Sequence, residues 1–537
     1  MFGFILKRLQ FRKIKNQNVN NDNCNKTKKQ SNINYTETLS ENINNIKSAL
    51  GNSNDLVIRE FSFGHKQCIN AAIIFIDGLT NTTIINQNII EPLMYGTKIE
   101  DLKFPLENSK ITDLKKAMLS VSDVQNANTL EEIIEGFLSG DAVLMLDGTK
   151  EALVISCKGW EKRSISEPTT EAVIRGPREA FTESLRTNTA MLRRKIKSPE
   201  LTMEMFNLGK KTNTNISIAY IRGLANQDLI EEVRLRLNNI NTDAILESGY
   251  IEQFIEDAPY SIFSTIWYTE KPDVVAANLL EGRVAIFVDG TPFVLTAPMF
   301  FIECFQTSED YYFRPYFMSM LRIVRFIAYM ITILAPAVYV TITTFHQELI
   351  PTKLLFTMSA AREGVPFPAA FEAGLMILVF EILREAGVRL PRPVGQAISI
   401  VGALVMGESA VSAGLIGEPM VIVIAITAVS IFVVPNQADA AALLRLIYLV
   451  LSAVMGGVGI TVGLLATLVH LASLKSFGYY YLSPIVPFQL RDTKDSVIRA
   501  PLWAMHTRPS GLARNDKTRQ TSNIQNLKKS DRNNQEH

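Results

Sequence analysis

GFLSGDAVLMLDGTKEALVIS, residues 136–156, has a close counterpart in NLLEGRVAIFVDGTPFVLTAP, residues 278–298. Each stretch predicts the end of a helix, a glycine, a buried strand, an Asp-Gly turn and a second strand. Asp-Gly between two apolar runs is a strong hairpin signal, because both residues tolerate the backbone angles of a tight turn. Asp147 and Asp289 are therefore interpreted as turn formers rather than as catalytic carboxylates.

A second pair of similar stretches precedes these hairpins. AAIIFIDGLTN (71–81) and ISIAYIRGLANQ (216–227) are each an apolar run closed by a glycine turn. The simplest explanation is two related α/β lobes, predicted at 55–165 and 206–310. The alternative is a chance similarity between buried strands.

A connecting helical segment is predicted between the lobes, at 166–205. Its end carries a positive cluster, Arg193, Arg194 and Lys195. The cluster indicates either a solvated helix face or an interface or anion site.

Both ends of the chain are polar and basic. We predict a disordered basic, Asn-rich tail at 1–54 and a C-terminal cytoplasmic segment with a disordered tail at 491–537. Such tails are either solvated or in contact with anionic lipid headgroups. Over all 537 residues, however, 54 Lys and Arg balance 53 Asp and Glu, which speaks against a nucleic-acid binder.

The four cysteines and five histidines are scattered along the chain without metal-ligand spacing. The cysteines are interpreted as reduced thiols. The sequence thus predicts no metal site, no cofactor and no enzyme.

A helical transmembrane domain with four to six spans is predicted at 311–490, because long runs there lack charged residues. The four clearest spans are 321–345, 394–414, 418–436 and 442–474. Within the last, GGVGITVG predicts close helix packing through Gly459 and Gly463 rather than a nucleotide loop.

The direction of crossing is only partly determined. The absence of a signal-peptide core and the pair Arg322 and Arg325 place the lobes on the cytoplasmic side. The basic C-terminal tail also favours that side, which requires an even number of spans. A fifth candidate, 370–387, carries three glutamates and makes the number odd if it crosses, so its role stays open.

The stretch VGALVMGESAVSAG (401–414) is unusually rich in small residues and contains one acid. Helical spacing places Gln396, Ile400, Leu404 and Glu408 on one stripe. Polar ends around an apolar middle suit a pore with a dewetting gate. The alternative is a helix buried in a bundle, with Glu408 near the membrane interface.

REGVPFPAAFEAG (362–374) contains two prolines that prevent a regular helix. Pro366 and Pro368 predict a bend between membrane elements, which is also a hinge candidate for gating.

Three longer blocks resemble the A subunit of spore germinant receptors, the GerA family of endospore-forming bacteria. They are EPTTEAVIRGPREAFTESLRTN (167–188), REGVPFPAAFEAGLMILVFEILREAGVRLPRPVGQAISIVGALVMG (362–407) and SPIVPFQLRDTKDSVIRAPLWAMHTRP (483–509). The resemblance covers about 55–509, and Ala180 departs from a frequent glycine. The family-signature residues are Glu167, Pro168, Arg175, Gly176, Pro177, Arg178 and Glu179.

The resemblance implies an α/β cytoplasmic region of two related lobes followed by an α-helical multi-span membrane domain, in the spore inner membrane. It implies a transporter-like B subunit that senses the nutrient and a C-subunit lipoprotein as partners. It further implies a homo-oligomeric ring that forms a nutrient-gated channel for monovalent cations, lined by 394–414. A signalling scaffold without its own pore and, less favoured, a secondary transporter are the alternatives.

Overall fold

The computed structural model describes residues 35–63, 69–96, 123–159, 168, 171, 173–389, 407–488, 492–509, 511–513 and 516–519. The chain divides into two compact units. The first, Met1–Asn52 with Leu56–Gly159, contains lobe 1. The second, Ser53–Asp55 with Trp160–His537, contains lobe 2 and the helical region.

Lobe 1 is an antiparallel five-stranded sheet with helices, in the strand order β1-β2-β4-β5-β3. Its strands are β1 Leu56–Phe63, β2 Ile69–Ile76, β3 Val124–Ala127, β4 Ala142–Leu146 and β5 Ala152–Ile155. Its helices are α1 Leu39–Ala49, α2 Thr82–Ile85, α3 Glu91–Gly96 and α4 Leu130–Leu138, with a π-helical turn, Asn86–Ile90, between α2 and α3.

Lobe 2 has the same architecture, with the strand order β6-β7-β9-β10-β8. Its strands are β6 Leu201–Leu208, β7 Thr214–Ile221, β8 Trp267–Thr269, β9 Val284–Val288 and β10 Val294–Ala297. Its helices are α5 Leu185–Lys195, α6 Gln227–Asn238, α7 Ser248–Ile255 and α8 Pro272–Leu280. The two lobes thus have the same strand order.

The two Asp-Gly hairpins form as predicted, and each aspartate also binds a helix. Asp147 Oδ1 accepts a hydrogen bond of 3.1 Å from the backbone N–H of Leu39, at the start of α1. Asp289 Oδ1 accepts one of 3.0 Å from Leu185, at the start of α5. A carboxylate there satisfies an otherwise unpaired N–H and faces the positive end of the helix dipole.

The lobe boundaries differ from the prediction at both helices. Residues 39–49, assigned to a disordered tail, form α1 and bury Ile43 and Ile46 in lobe 1. Helix α5, assigned to the connecting segment, packs in the core of lobe 2. Composition alone concealed α1, because its apolar residues lie on one face of an otherwise polar stretch.

Lobe 2 is followed by a helical region. Its described helices are α9 Pro315–Thr344, α10 Thr352–Ala360, α11 Ala369–Arg389, α12 Gly407–Ser412, α13 Glu418–Ile431 and α14 Ala438–Ser473. Among the described residues, only Pro315–Thr344 and Pro435–Ser473 are long and apolar enough to cross a membrane, and α13 is a shorter apolar helix. The predicted span 394–414 lies mostly outside the described residues.

The predicted span 442–474 is not one straight helix, because α14 folds back on itself. At Gly456 the backbone takes φ 59° and ψ −136°, outside the helical region. Tyr448 Oη and Thr467 Oγ1 lie 2.8 Å apart, whereas a straight helix would separate these residues by about 28 Å. A Cβ atom at Gly463 would lie 2.8 Å from the Tyr448 ring, so the predicted packing role of this glycine is confirmed. Helix α14 is thus a hairpin with arms 438–455 and 457–473.

The contacts show the directions of these helices. The tip of the hairpin, Gly456, meets Phe345 just after the end of α9, so the first arm runs parallel to α9. Gly374 lies beside Leu449, and Glu381 pairs with Arg445, so α11 runs in the opposite direction to that arm.

After the hairpin, the chain returns to lobe 2. His470 Nε2 lies 3.0 Å from Ser261 Oγ. Phe477, in the short ribbon of β11 Lys475–Ser476 and β12 Tyr479–Tyr480, packs in the core of lobe 2. Both ends of the helical region therefore lie beside lobe 2.

Candidate functional site

A buried ionic network marks the start of α9. The Asp310 carboxylate is fully buried and accepts hydrogen bonds from Arg322 Nε at 2.6 Å and Arg325 Nη1 at 2.8 Å. Removing one partner of such a pair costs several kcal/mol, because an uncompensated charge stays buried. Arg322 and Arg325, which indicated the membrane orientation, thus also stabilise the fold at the start of α9.

The C-terminal segment supplies the other acid of this network. Asp495 Oδ1 accepts from Arg322 Nη1 at 2.9 Å, and Asp495 Oδ2 accepts from Tyr311 Oη at 2.7 Å. Arg499 donates to the carbonyl of Phe313 at 3.2 Å. The block 483–509, one of the three that carry the resemblance, therefore packs against the first turns of α9.

The signature segment contacts the same turn from lobe 2. Backbone N–H groups of Ile174 and Arg175 donate to the Glu309 carboxylate. Gly176 has φ 149°, and a Cβ atom there would lie 2.9 Å from the Tyr312 ring. Glycine is thus required both by the backbone angle and by the close approach. We call these parts together, 171, 173–179, Glu309–Phe313, Arg322, Arg325 and 495–499, the junction site.

The positive cluster of α5 is satisfied within the same unit. Arg193 is fully buried, and its guanidinium pairs with Asp55 at 2.9 Å. Arg194 and Lys195 contact the signature residue Glu179 at 3.2 Å and 3.6 Å. The cluster is thus paired with carboxylates of the chain itself, and neither a solvated face nor an anion site describes it.

A second group of charges borders the junction site. Glu171 accepts a hydrogen bond of 3.0 Å from the Thr269 hydroxyl. Burial raises the pKa of Glu171 to about 7, against the hydrogen bond from Thr269 and the charge of Lys271, which lower it. The buried Lys271 ammonium donates to Ser308 at 2.7 Å. These contacts tie the end of β8 to the turns before α9.

The model of the Bacillus/Clostridium GerA spore germination protein family matches residues 44–511. The chain belongs to this family. The match includes both lobes, the junction site and the helical region, and therefore confirms the resemblance seen in the sequence.

Individual relatives of this GerA-family chain are similar over almost their full lengths. Spore germination protein KA of Bacillus subtilis (strain 168) is 47% identical over 485 residues, 90% of this chain and 88% of that protein. Spore germination protein GerLA of Bacillus cereus is 37% identical and covers 89% of this chain and 96% of its own length. A solved structure is also similar, the crystal structure of the N-terminal domain of the A subunit of the Bacillus megaterium spore germinant receptor GerK3. Its sequence is 39% identical, and the match covers 50% of this chain and 97% of that one, with a TM-score of 0.40.

The predicted pore residues of the GerA-family chain are only partly within the described structure. Gln396, Ile400 and Leu404 lie outside the described residues. Glu408 lies in the first turn of α12, where it is exposed. The structure therefore does not test the pore stripe, which stays a prediction.

The predicted hinge residues precede α11. Pro366 and Pro368 are both exposed, and the carbonyl of Pro368 accepts hydrogen bonds from Phe371 at 2.9 Å and Glu372 at 3.1 Å. Pro368 thus marks the beginning of the helix. Its role in gating stays a prediction.

The three acids that put α11 in doubt all have partners. Glu372 is buried and accepts from Arg362 at 3.1 Å and from the backbone N–H of Gly417 at 3.0 Å. Glu381 pairs with Arg445 of α14 and Glu385 with Arg389. Helix α11 is not among the described helices that are apolar enough to cross a membrane, and its role stays open.

The remaining signature residues lie around the junction site or outside the described residues. Pro168 is buried, Arg175 lies over the Phe313 ring at 5.9 Å, and Pro177 and Arg178 follow Gly176 along the segment. Glu167 lies outside the described residues.

Among the described residues, no group of His, Cys, Asp or Glu could hold a metal ion. The two described cysteines are buried, and burial raises the pKa of Cys157 to about 11 and that of Cys304 to about 12. Both are therefore thiols at neutral pH and weak nucleophiles.

Sequence reasoning missed Asp310, Asp495 and Arg499 as partners of α9. The sequence did contain a signal for them, since charged residues stand among apolar residues both before and after the helical region. Which of them pair cannot be read from spacing, since Arg322 and Asp495 are 173 positions apart.

Proposed function

We propose that this chain is the A subunit of a nutrient-sensing spore germinant receptor. In this proposal it assembles as a homo-oligomeric ring that forms a germinant-gated channel for monovalent cations in the spore inner membrane. Opening of the channel triggers germination. The observation that carries the proposal is the family match over 44–511, together with relatives that are themselves spore germination proteins.

The helix directions support a membrane topology within this proposal. Helix α9 leads away from lobe 2, α11 returns, and the two arms of α14 leave and return again. With 394–414 and α13 as one crossing each, the chain crosses six times, and both of its ends face the cytoplasm. With a hairpin at Gly456, a crossing by α11 gives an even number of crossings in this proposal.

The junction site is the element that would transmit a signal between lobe 2 and the membrane. Asp310 and Asp495 bind the same arginine of α9, so the turn before α9 and the C-terminal segment move with that helix. A rotation of α9 would have to break a buried ion pair or carry both segments with it. Buried networks of this kind favour discrete arrangements over gradual deformation.

The pore itself is proposed at 394–414. Small residues would allow neighbouring helices to approach an axis, Ile400 and Leu404 would form the gate, and Glu408 would attract cations at one end. The exposed position of Glu408 is compatible with this role. Pro366 and Pro368 would absorb the change in chain direction during gating.

Partner subunits are part of the proposal. The transporter-like B subunit would sense the nutrient, and the C-subunit lipoprotein would complete the complex at the membrane. The apolar helices α9, α13 and α14 expose large aliphatic and aromatic side chains, which suits contact with lipid or with neighbouring helices.

The oligomeric state of the purified receptor complex tests this proposal. A closed ring of A subunits, seen by native mass spectrometry or electron microscopy in detergent, is the expected result. A complex that contains a single A subunit would contradict a central pore, because one copy of 394–414 cannot surround an axis.

A signalling scaffold is the second candidate. It is favoured by the location of the signature residues, which lie at the junction site rather than on the proposed pore helix. In that case removal of both lobes would abolish nutrient germination without any change in ion permeability. For a channel, the same deletion is expected to change both.

A further inference from the structure

A cavity of about 760 Å³ lies beside the junction site. It is lined by Asp273 and Ala277 of α8 and by Glu281, which follows the end of that helix. The short turns Phe301–Phe305 and Ser308–Tyr311 and the C-terminal segment contribute further lining residues. Its volume is in the range of cavities that bind small molecules.

The charge of the lining is strongly acidic. Seven carboxylates and three guanidinium groups border the cavity among the described residues. Part of this charge is neutralised, since Arg283 pairs with both Glu281 and Glu303, and Asp495 pairs with Arg322. An excess of negative charge remains, and a low-dielectric cavity with such an excess attracts cations.

Asp273 is the least satisfied of these carboxylates. Its side chain is only 9% exposed, and Oδ2 accepts from Tyr312 Oη at 2.6 Å. Oδ1 is buried without a hydrogen-bond partner among the described residues. Lys271 does not fill this position, because its Nζ is 3.9 Å from Oδ2 and donates to Ser308 instead. A buried acceptor without a donor is costly, so a ligand that supplies one gains affinity.

Glu171 lies on the same cavity and adds a second, partly buried carboxylate. Its Oε2 accepts a hydrogen bond from the Thr269 hydroxyl. The repulsion of Glu270 and Asp273 contributes to its raised pKa. A cation between Glu171 and Asp273 would relieve this repulsion.

The lining also restricts the kind of cation. Trp267, Tyr311 and Tyr312 contribute aromatic surface, and aromatic rings attract organic ammonium groups. A metal ion would need three or more ligands at close range, and the described residues contain no such group. We propose that this cavity binds a small organic cation whose ammonium group donates hydrogen bonds to Asp273 Oδ1 and Glu171.

The site is distinct from the proposed pore and does not depend on channel activity. Its ligand would nevertheless act on the junction site, because Asp273 holds Tyr312, which lies three residues before α9. A bound cation would neutralise part of the negative charge beside this contact. A cytoplasmic cation bound in the cavity would thus act on α9 through this contact.

Calorimetric titration of the full chain in detergent tests the proposal. The probe is 1,4-diaminobutane, a dication at neutral pH, and the matched control is 1,4-butanediol, which has the same length and no charge. We expect saturable binding of the diamine and none of the diol. Asp273→Asn should weaken diamine binding by about tenfold or more, since a charged hydrogen bond is lost.

Two further variants separate a specific site from general attraction. Asp243→Asn removes an equal charge from an exposed position of lobe 2 and should leave binding unchanged. Tyr312→Phe removes a partner of Asp273 but keeps its carboxylate, so this variant should still bind the diamine. It provides a second test if Asp273→Asn does not fold. The proposal is overturned if the wild type binds no diamine or binds the diol equally. It is also overturned if Asp243→Asn weakens binding as much as Asp273→Asn, or if Tyr312→Phe abolishes binding while folded.

Discussion

Among the single residues of the junction site, we expect Asp310 to contribute most to the free energy of unfolding. It is fully buried and neutralises both Arg322 and Arg325. Asp310→Asn keeps the shape but leaves two guanidinium groups with one acid, so we expect it to destabilise the protein by about 3 kcal/mol. The thermal unfolding of the full chain in detergent, followed by tryptophan fluorescence, measures this change.

A matched control for Asp310 is the exposed ion pair between Asp243 and Lys211, 3.4 Å apart. Asp243→Asn should change the free energy of unfolding by less than about 0.5 kcal/mol, because water screens exposed pairs. Equal effects of the two variants would show that the network at α9 contributes no special stability.

Glu171 gives a pH dependence of known sign. Its pKa rises from 4.5 to about 7 in the folded protein, so the folded state holds the proton more strongly than the unfolded state. The contribution of this group to stability therefore falls as pH increases from 4.5 to 7, by up to about 3 kcal/mol, and is constant above 7.

The variant Glu171→Gln removes this titration. It should be more stable than the wild type at pH 8 and similar to it at pH 4.5, as measured by thermal unfolding. Glu37→Gln, at an exposed position, is the control and should follow the wild type at both values. A stability difference between Glu171→Gln and the wild type that is the same at both pH values would rule out titration of Glu171 in this range.

At the scale of elements, each lobe fixes its first helix through the aspartate of its hairpin. Asp147→Ala should loosen α1 and Asp289→Ala should loosen α5, each by about 1 kcal/mol, because a helix-terminal N–H loses its acceptor. Hydrogen exchange followed by mass spectrometry can measure both helices in one sample. Faster exchange confined to the helix bound by the substituted aspartate is expected, and unchanged exchange in both helices would contradict the shared role.

The hairpin in α14 depends on Gly456. An alanine there would adopt an unfavourable φ of 59°, and its Cβ would lie 2.8 Å from Phe345 Cγ. We expect Gly456→Ala to cost about 1–3 kcal/mol or more. Gly364→Ala is the control, since a Cβ there meets open space. Similar unfolding midpoints for both variants would contradict a tight turn at 456.

At the scale of the whole molecule, local signals predicted the lobes well. The Asp-Gly turns and the apolar runs around them depend on neighbouring residues, and both hairpins form at these positions. The hairpin in α14 was missed because an uncharged apolar run has the same composition whether it is straight or folded back. The length of that run and the pair Gly456–Gly457 were the available signals.

The junction site could not be predicted as a unit. Its members come from the signature segment, the turn before α9 and the C-terminal segment, and only the fold brings them together. Sequence similarity identified the blocks that contribute to it, but pairing between distant charges depends on tertiary geometry. The cavity beside α8 was hidden for the same reason.

Leu404 is the position at which we would test the proposal that 394–414 lines a gated cation pore. Spores that carry a receptor with Leu404→Ala should release monovalent cations without nutrient, because a smaller side chain no longer keeps the gate dry. Leu378→Ala, at an exposed position of α11, is the control and should release no more than the wild type. Cation release by Leu404→Ala spores equal to that of the wild type, at equal receptor levels, would contradict the claim.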